Sequence, residues 1–322
     1  MDSRIMMVEQ VADNLLGAPV GEELYGIEIE AEGFLPVHRG REGSALSLHW
    51  NIKDDGSLRN NGIEFVSKLL SPDKVANAVH HLYGRTRTLW EPSVRTGIHI
   101  HANMLGRTLD EVRRVLAYYS FVEPLLFQVV GPVREENIYC VPFYRAPTEA
   151  NVAMNGVSRD PWALREACKY SALFVGPLRS FGTIEFRHAP TFSTADELVL
   201  WWRLCRCVST SWACRDPFEV YAEGGPAAVV GEVFGDLWDR AEWTAEDMEF
   251  FIRETGAEET AFTFQPYTYK SSEWGSPGKF FVADTAPKES FLDVGLNTYL
   301  AESEPYFEEV EPESEEFDEE DE

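Results

Sequence analysis

Four short segments alternate bulky apolar residues with groups able to bind metal or move protons. They are Ile27-Glu28-Ile29-Glu30, Ile63-Glu64-Phe65, Ile98-His99-Ile100-His101-Ala102-Asn103 and Ile184-Glu185-Phe186-Arg187. A period of two is that of a β-strand, whose successive side chains point to opposite faces. The apolar members can therefore share one face, and Glu28, Glu30, Glu64, His99, His101, Asn103, Glu185 and Arg187 the other. Any one of these strands alone reads as an ordinary half-exposed strand. Together the polar face is rich in Glu and His, where an idle solvent face would favour Thr, Lys and Ser. Clustered carboxylates repel unless cations neutralise them. Oxygen donors with a few imidazoles suit Mg²⁺ or Mn²⁺. Same-face neighbours about 7 Å apart suit two nearby ions, or one ion and a second ligand.

The surrounding sequence supplies the elements that must position these groups. Strands are expected over Leu24–Glu32, Leu46–Lys53, Gly62–Leu69, Thr96–Met104, Tyr170–Pro177 and Gly182–His188. Asp54-Asp55-Gly56-Ser57 is a turn signal. Helices are expected over 5–16, from Pro72 to about Trp90, from Thr108 toward Val130, over Trp162–Cys168, from Thr194 to about Cys214 and over Thr244–Thr255. Thr108 and Glu111 have the spacing of a capping box, and Pro124 is expected to kink or split its helix. Residues 33–46 read as a loop, a possible lid with His38, Arg39 and Arg41. Residues 131–160 read as irregular. Gly97 and Gly182, each just before a site strand, mark a close approach or a bend. The simplest organisation is a catalytic domain over 1–215, an extension over 216–301 packed on it, and a disordered acidic tail over 302–322.

Composition removes several function classes. The net charge is −27, and the segment 302–322 holds 13 of the 55 acidic residues and no Lys or Arg. The body is acidic even without that segment, so no nucleic-acid-binding surface is expected. The tail reads as a solvating segment, with docking to a basic partner the minority reading. Five cysteines without a CxxC pair argue against a disulfide framework and a Cys-rich zinc site. No apolar run is long enough for a membrane span, and no signal peptide is expected, so a cytoplasmic location fits. Neither GxGxxG nor GxxxxGK[ST] occurs, so a bound nucleotide would need another cradle.

The motifs GIEIEAEG, DDGSL, NGIEFVS, GIHIHANM and GTIEFRHAP, in this order over roughly Leu24–Trp202, resemble the amidoligase family. These are glutamine-synthetase-like carboxylate–amine ligases, often carried by bacteriophages, in which case the cytoplasm would be the host's. The resemblance implies an α+β fold, a curved antiparallel sheet backed by helices with the site on its concave face. It implies ATP, Mg²⁺ or Mn²⁺, and an acyl-phosphate intermediate. By position, Glu28 and Glu30 match the metal-binding Glu-x-Glu, and Glu185 the late metal-binding Glu. Arg187 matches the phosphate-facing Arg, and Glu64 the acid of the following strand. His99 or His101 would lie beside a metal or the phosphates, with His101 the preferred metal ligand. His99, Asn103, Arg134 and Asn137 are the candidates for nucleotide contacts. Glu64 or Asp55 would accept the ammonium proton. The substrates would be a small-molecule or peptide carboxylate and an amine, and a homo-oligomer is possible by analogy.

Two other classes compete. His-x-His on a strand also occurs in metal-dependent amidohydrolases, which need further His ligands; the chain has seven His and none after His188. A catalytically inactive ligase-like binding or assembly protein would keep the sheet, but nothing structural requires Glu28, Glu30, Glu64, Glu185 and Arg187 together.

Overall fold

The computed structural model describes residues 6–12, 19–158, 160, 163–164, 166–235, 237, 250, 252 and 255–263. The expected segments Thr244–Thr255 and 302–322 lie largely or wholly outside them, as do Trp162 and Arg165 of the expected helix Trp162–Cys168.

Six strands form one open antiparallel sheet: β1 (Tyr25–Ala31), β2 (Trp50–Asp54), β3 (Ile63–Ser67), β4 (Gly97–Asn103), β5 (Leu173–Phe174) and β6 (Thr183–Pro190). Their order is β2-β3-β1-β4-β6-β5, and every neighbouring pair is antiparallel. The fold is thus a mixture of helices and an antiparallel sheet. The four site strands lie side by side, with β1 and β4 at the centre.

Alternation fixes which face is covered. Ile27, Ile29, Phe65, Ile98, Ile100, Ile184 and Phe186 have no solvent exposure. Three helices back this face: α2 (Pro72–Thr86), α3 (Leu109–Val130) and α7 (Ala195–Thr210). Trp50 Nε1 donates to the Ala78 carbonyl of α2 at 2.9 Å. Tyr25 meets Trp202 of α7 edge-on at 5.6 Å. Burying such side chains contributes about 1.5–3 kcal/mol each, so a register slip of one residue, which would turn them to solvent, is strongly disfavoured.

Capping sets the backing helices. Thr108 accepts from the Glu111 amide while the Glu111 carboxylate accepts from the Thr108 amide, and Thr194 and Glu197 repeat the arrangement. α3 continues unbroken past Pro124. The proline removes one hydrogen bond, but the surrounding residues are wholly buried, and that packing outweighs the loss.

Several segments differ from their sequence reading; the strand expected over Leu46–Lys53, for one, begins at Trp50. Residues 33–46 contain helix α1 (Pro36–Leu46), not a loop. Pro36 occupies its first turn, Leu46 is buried, and buried Glu42 accepts from Arg85 Nε of α2 at 3.0 Å. Arg39, expected on a lid, is paired with Asp54 of β2 at 2.7 Å. Residues 131–160 contain α4 (Pro132–Glu135) and α5 (Pro147–Ser158). Ala150, Ala153, Met154 and Val157 form the buried stripe of α5, a helical spacing that the flanking Pro and Gly obscure. The strand expected over Tyr170–Pro177 shrinks to two residues, because Pro177 opens the short helix α6 (Pro177–Ser180). Beyond α7, α8 (Pro217–Phe234) packs on α3 and α7, and α9 (Ala257–Thr263) on α3. Of the helix expected over 5–16, the described residues hold a single turn, Val8–Gln10. No helix among the described residues is long and apolar enough to cross a membrane.

Candidate functional site

The uncovered face of the central strands carries the chemistry, and register decides which side chains meet. Glu30 lies opposite Glu64, Glu28 opposite His99, and His101 opposite Glu185. Cross-strand partners stand about 5 Å apart at Cβ, so three rows of ligating groups converge.

Glu28 is the hub. Its Oε2 lies 3.3 Å from His99 Nδ1 and its Oε1 3.6 Å from His101 Nε2. Glu185 lies across the two imidazoles, 3.5 Å from His99 Nδ1 and 4.0 Å from His101 Nε2. Arg187 Nη1 donates to Glu185 Oε1. Two trios have ligand atoms within 4.8 Å of one another: Glu28, Glu64 and His99, and Glu28, His101 and Glu185. Each combines carboxylate oxygens with one imidazole, the donor set expected for Mg²⁺ or Mn²⁺. Both trios share Glu28, which would bridge two ions.

The titration of the cluster follows from crowding. Burial alone would raise the Glu28 carboxyl, but His101 and His99 outweigh it and hold it well below the usual range. Burial, with the charges of Glu28, Glu30 and Asp55, pushes Glu64 up to about 7 against the opposing Lys53. Burial also raises Glu30, against His99 and the Gly97 amide. Burial would lower His101, yet Glu28 and Glu185 raise it. Three carboxylates at close range are balanced here by imidazoles and one guanidinium, and a bound cation would relieve the remaining repulsion.

A β-bulge aims the last strand. Ile98 pairs with Ala189 and Ile100 with Phe186, so Arg187 and His188 together oppose His99. Arg187 stays on the open face while His188 is fully buried among Phe127, Phe186 and Trp201. His188 Nε2 and Tyr119 Oη are 2.9 Å apart. The Tyr119 hydroxyl donates to Glu123, which also accepts from the Phe143 and Tyr144 amides.

The other expected site residues are dispersed. Arg134 is buried and holds the bulge from behind, Nε donating to the His188 carbonyl and Nη2 to the Arg187 carbonyl. Its guanidinium is engaged with backbone, which is not the phosphate contact expected from sequence. Glu30 belongs to neither trio but stays at the edge of the cluster: its Oε2 accepts from the Gly97 amide at 2.7 Å and its Oε1 lies 3.9 Å from His99 Nε2. A Cβ on Gly97 would lie 3.3 Å from Arg134 Nη2, so this glycine marks a close approach, whereas Gly182 marks a bend with φ 75°. Asp55 accepts from the Ser57 amide and hydroxyl, closing the turn beside Glu64. Asn103 spends its amide on the Pro19 and Glu22 carbonyls and accepts from Leu105. Asn137 closes a turn by accepting from the Tyr139 amide. Neither Asn lines the cavity over the cluster.

That cavity measures about 590 Å³, and Glu28, Glu64, His99, His101, Glu185 and Arg187 line it. The β5–α6–β6 connection supplies Phe174, Arg179 and Phe181. Sequence reasoning missed these three; Arg179 lies outside the alternating pattern and has no local signal. No protein-family model matches the chain, and no curated protein matches it.

Proposed function

We propose that the chain is an ATP-dependent carboxylate–amine ligase of glutamine-synthetase-like type, working with Mg²⁺ or Mn²⁺ on the open face of the sheet. The observation that carries this reading is the pair of ligand trios joined by Glu28, with Arg187 beside them in one cavity. Forming an amide from a carboxylate requires an activated acyl group. Transfer of a γ-phosphoryl group is mainly positioning and charge neutralisation. Ions held by Glu28, Glu64, His99, His101 and Glu185 would supply that neutralisation when bound.

In this scheme a substrate carboxylate oxygen attacks the γ-phosphorus of ATP and ADP leaves. Arg187 binds the non-bridging phosphate oxygens, where charge accumulates. The amine nitrogen then attacks the acyl carbon, and inorganic phosphate departs. Glu64 or Asp55 takes the ammonium proton, Glu64 from within the first trio and Asp55 from the adjoining turn. The walls around Phe174 and Phe181 limit the access of water to the acyl phosphate.

Calorimetric titration with a non-hydrolysable ATP analogue, with and without Mg²⁺, tests this reading without knowing either substrate. Metal-dependent binding that weakens in Glu28→Gln and Arg187→Ala is the expected result. A folded wild type that binds no nucleotide would overturn it and leave hydrolysis at the same trios as the competing activity.

A further inference from the structure

Two guanidinium groups line the cavity, and they come from one short stretch of chain. Arg187 stands on β6 and Arg179 on α6, immediately before that strand. Arg187 Nη1 is engaged by Glu185, but its Nε is buried without a hydrogen-bond partner. Such an N–H costs free energy until it finds an acceptor, and an anionic oxygen is the best one. Arg179 is only 6% exposed, although it lines a cavity. Little of its side chain therefore faces open water, and what it does expose includes part of the cavity wall.

Floor and wall recognise opposite charges. The trios attract cations, whereas Arg179 and Arg187 attract anions. A lone carboxylate has two oxygens and would be used up by one trio or one guanidinium. A triphosphate has enough anionic oxygens to chelate an ion and reach both arginines. A cavity of about 590 Å³ lies within the common range for small-molecule sites, roughly 300–1,000 Å³.

We infer that Arg179 is a second polyphosphate-binding residue, forming with Arg187 an anion subsite that receives a metal-chelated triphosphate. This rests on the ligase reading above. α6 and β6 then act as one binding unit, since the two arginines are separated by a single turn of chain.

The test titrates whole protein first with Mn²⁺ alone, then with Mn²⁺–tripolyphosphate and with a Mn²⁺-bound non-hydrolysable ATP analogue. Arg179→Met should bind Mn²⁺ as the wild type does, yet lose about tenfold or more in affinity for both phosphate ligands. Equal loss for the two assigns Arg179 to the phosphates; a loss confined to the nucleotide would overturn that assignment. Arg179→Met that binds both ligands like wild type also overturns it. If Arg179→Met fails to fold, Arg179→Lys decides: a lysine cannot reproduce the guanidinium fork, so a several-fold loss is expected and unchanged affinity refutes the inference. A wild type that holds Mn²⁺ but no triphosphate refutes the ligase reading itself, an outcome distinct from any behaviour of the variants.

Discussion

Arg134 Nε donates to the carbonyl oxygen of His188 at 2.7 Å, and its Nη2 donates to the neighbouring Arg187 carbonyl at 2.9 Å. One buried guanidinium thus satisfies both residues of the bulge that turns Arg187 toward the cluster. Arg134→Ala leaves two buried carbonyls without donors, a cost on the order of 3 kcal/mol. Chemical denaturation should show that loss. Wild-type stability in the variant would mean that the bulge does not depend on this clamp.

Glu28 is common to both trios, and Glu185 belongs to one. Glu28→Gln should therefore weaken Mn²⁺ binding at both positions, by at least roughly tenfold, the lower end of what losing even an outer partner of a metal ligand costs. Glu185→Gln should leave the Glu28–Glu64–His99 trio able to bind. Electron paramagnetic resonance titration of free Mn²⁺ counts the sites; equal effects of the two substitutions would contradict a shared bridge.

His188 is wholly buried, and burial together with Arg134 lowers its pKa to about 3. The unfolded chain, with an ordinary His near 6.5, binds the proton more readily than the native state does. Stability from keeping this ring neutral is present above about pH 6.5 and is lost as pH falls toward 3. The slope is bounded at about 1.4 kcal/mol per pH unit. In His188→Phe that contribution disappears. The difference between the two stability–pH curves should narrow on acidification across this window, and a constant difference would sink the idea.

Gly182 has φ 75°, and a Cβ there would lie 2.3 Å from Leu105 Cδ2. Gly182→Ala meets both an unfavourable backbone region and a buried neighbour. A loss above about 1 kcal/mol is expected, read as a lowered unfolding midpoint. Because the bend feeds β6, Mn²⁺ affinity should fall with it if the strand shifts.

The sequence by itself determined the four site strands and the division of their faces. A period of two admits one assignment once Ile27, Ile29, Phe65, Ile100 and Phe186 must be buried, and it places Glu28, Glu64, His99, His101 and Glu185 on the other side. The capping box at Thr108 was equally legible, because caps are local. Helix α1 was hidden by glycines and charges, since its anchors, buried Leu46 and Glu42 held by Arg85 of α2, are contacts with residues distant in the chain. What only the tertiary structure decided is which polar groups meet. Register and the bulge bring Glu28 within reach of both imidazoles, turn Glu30 to the Gly97 amide, commit Arg134 to the backbone and place Arg179 on the cavity wall. Those outcomes depend on strand order and on contacts between residues far apart in the chain, and no local pattern encodes a distance between them.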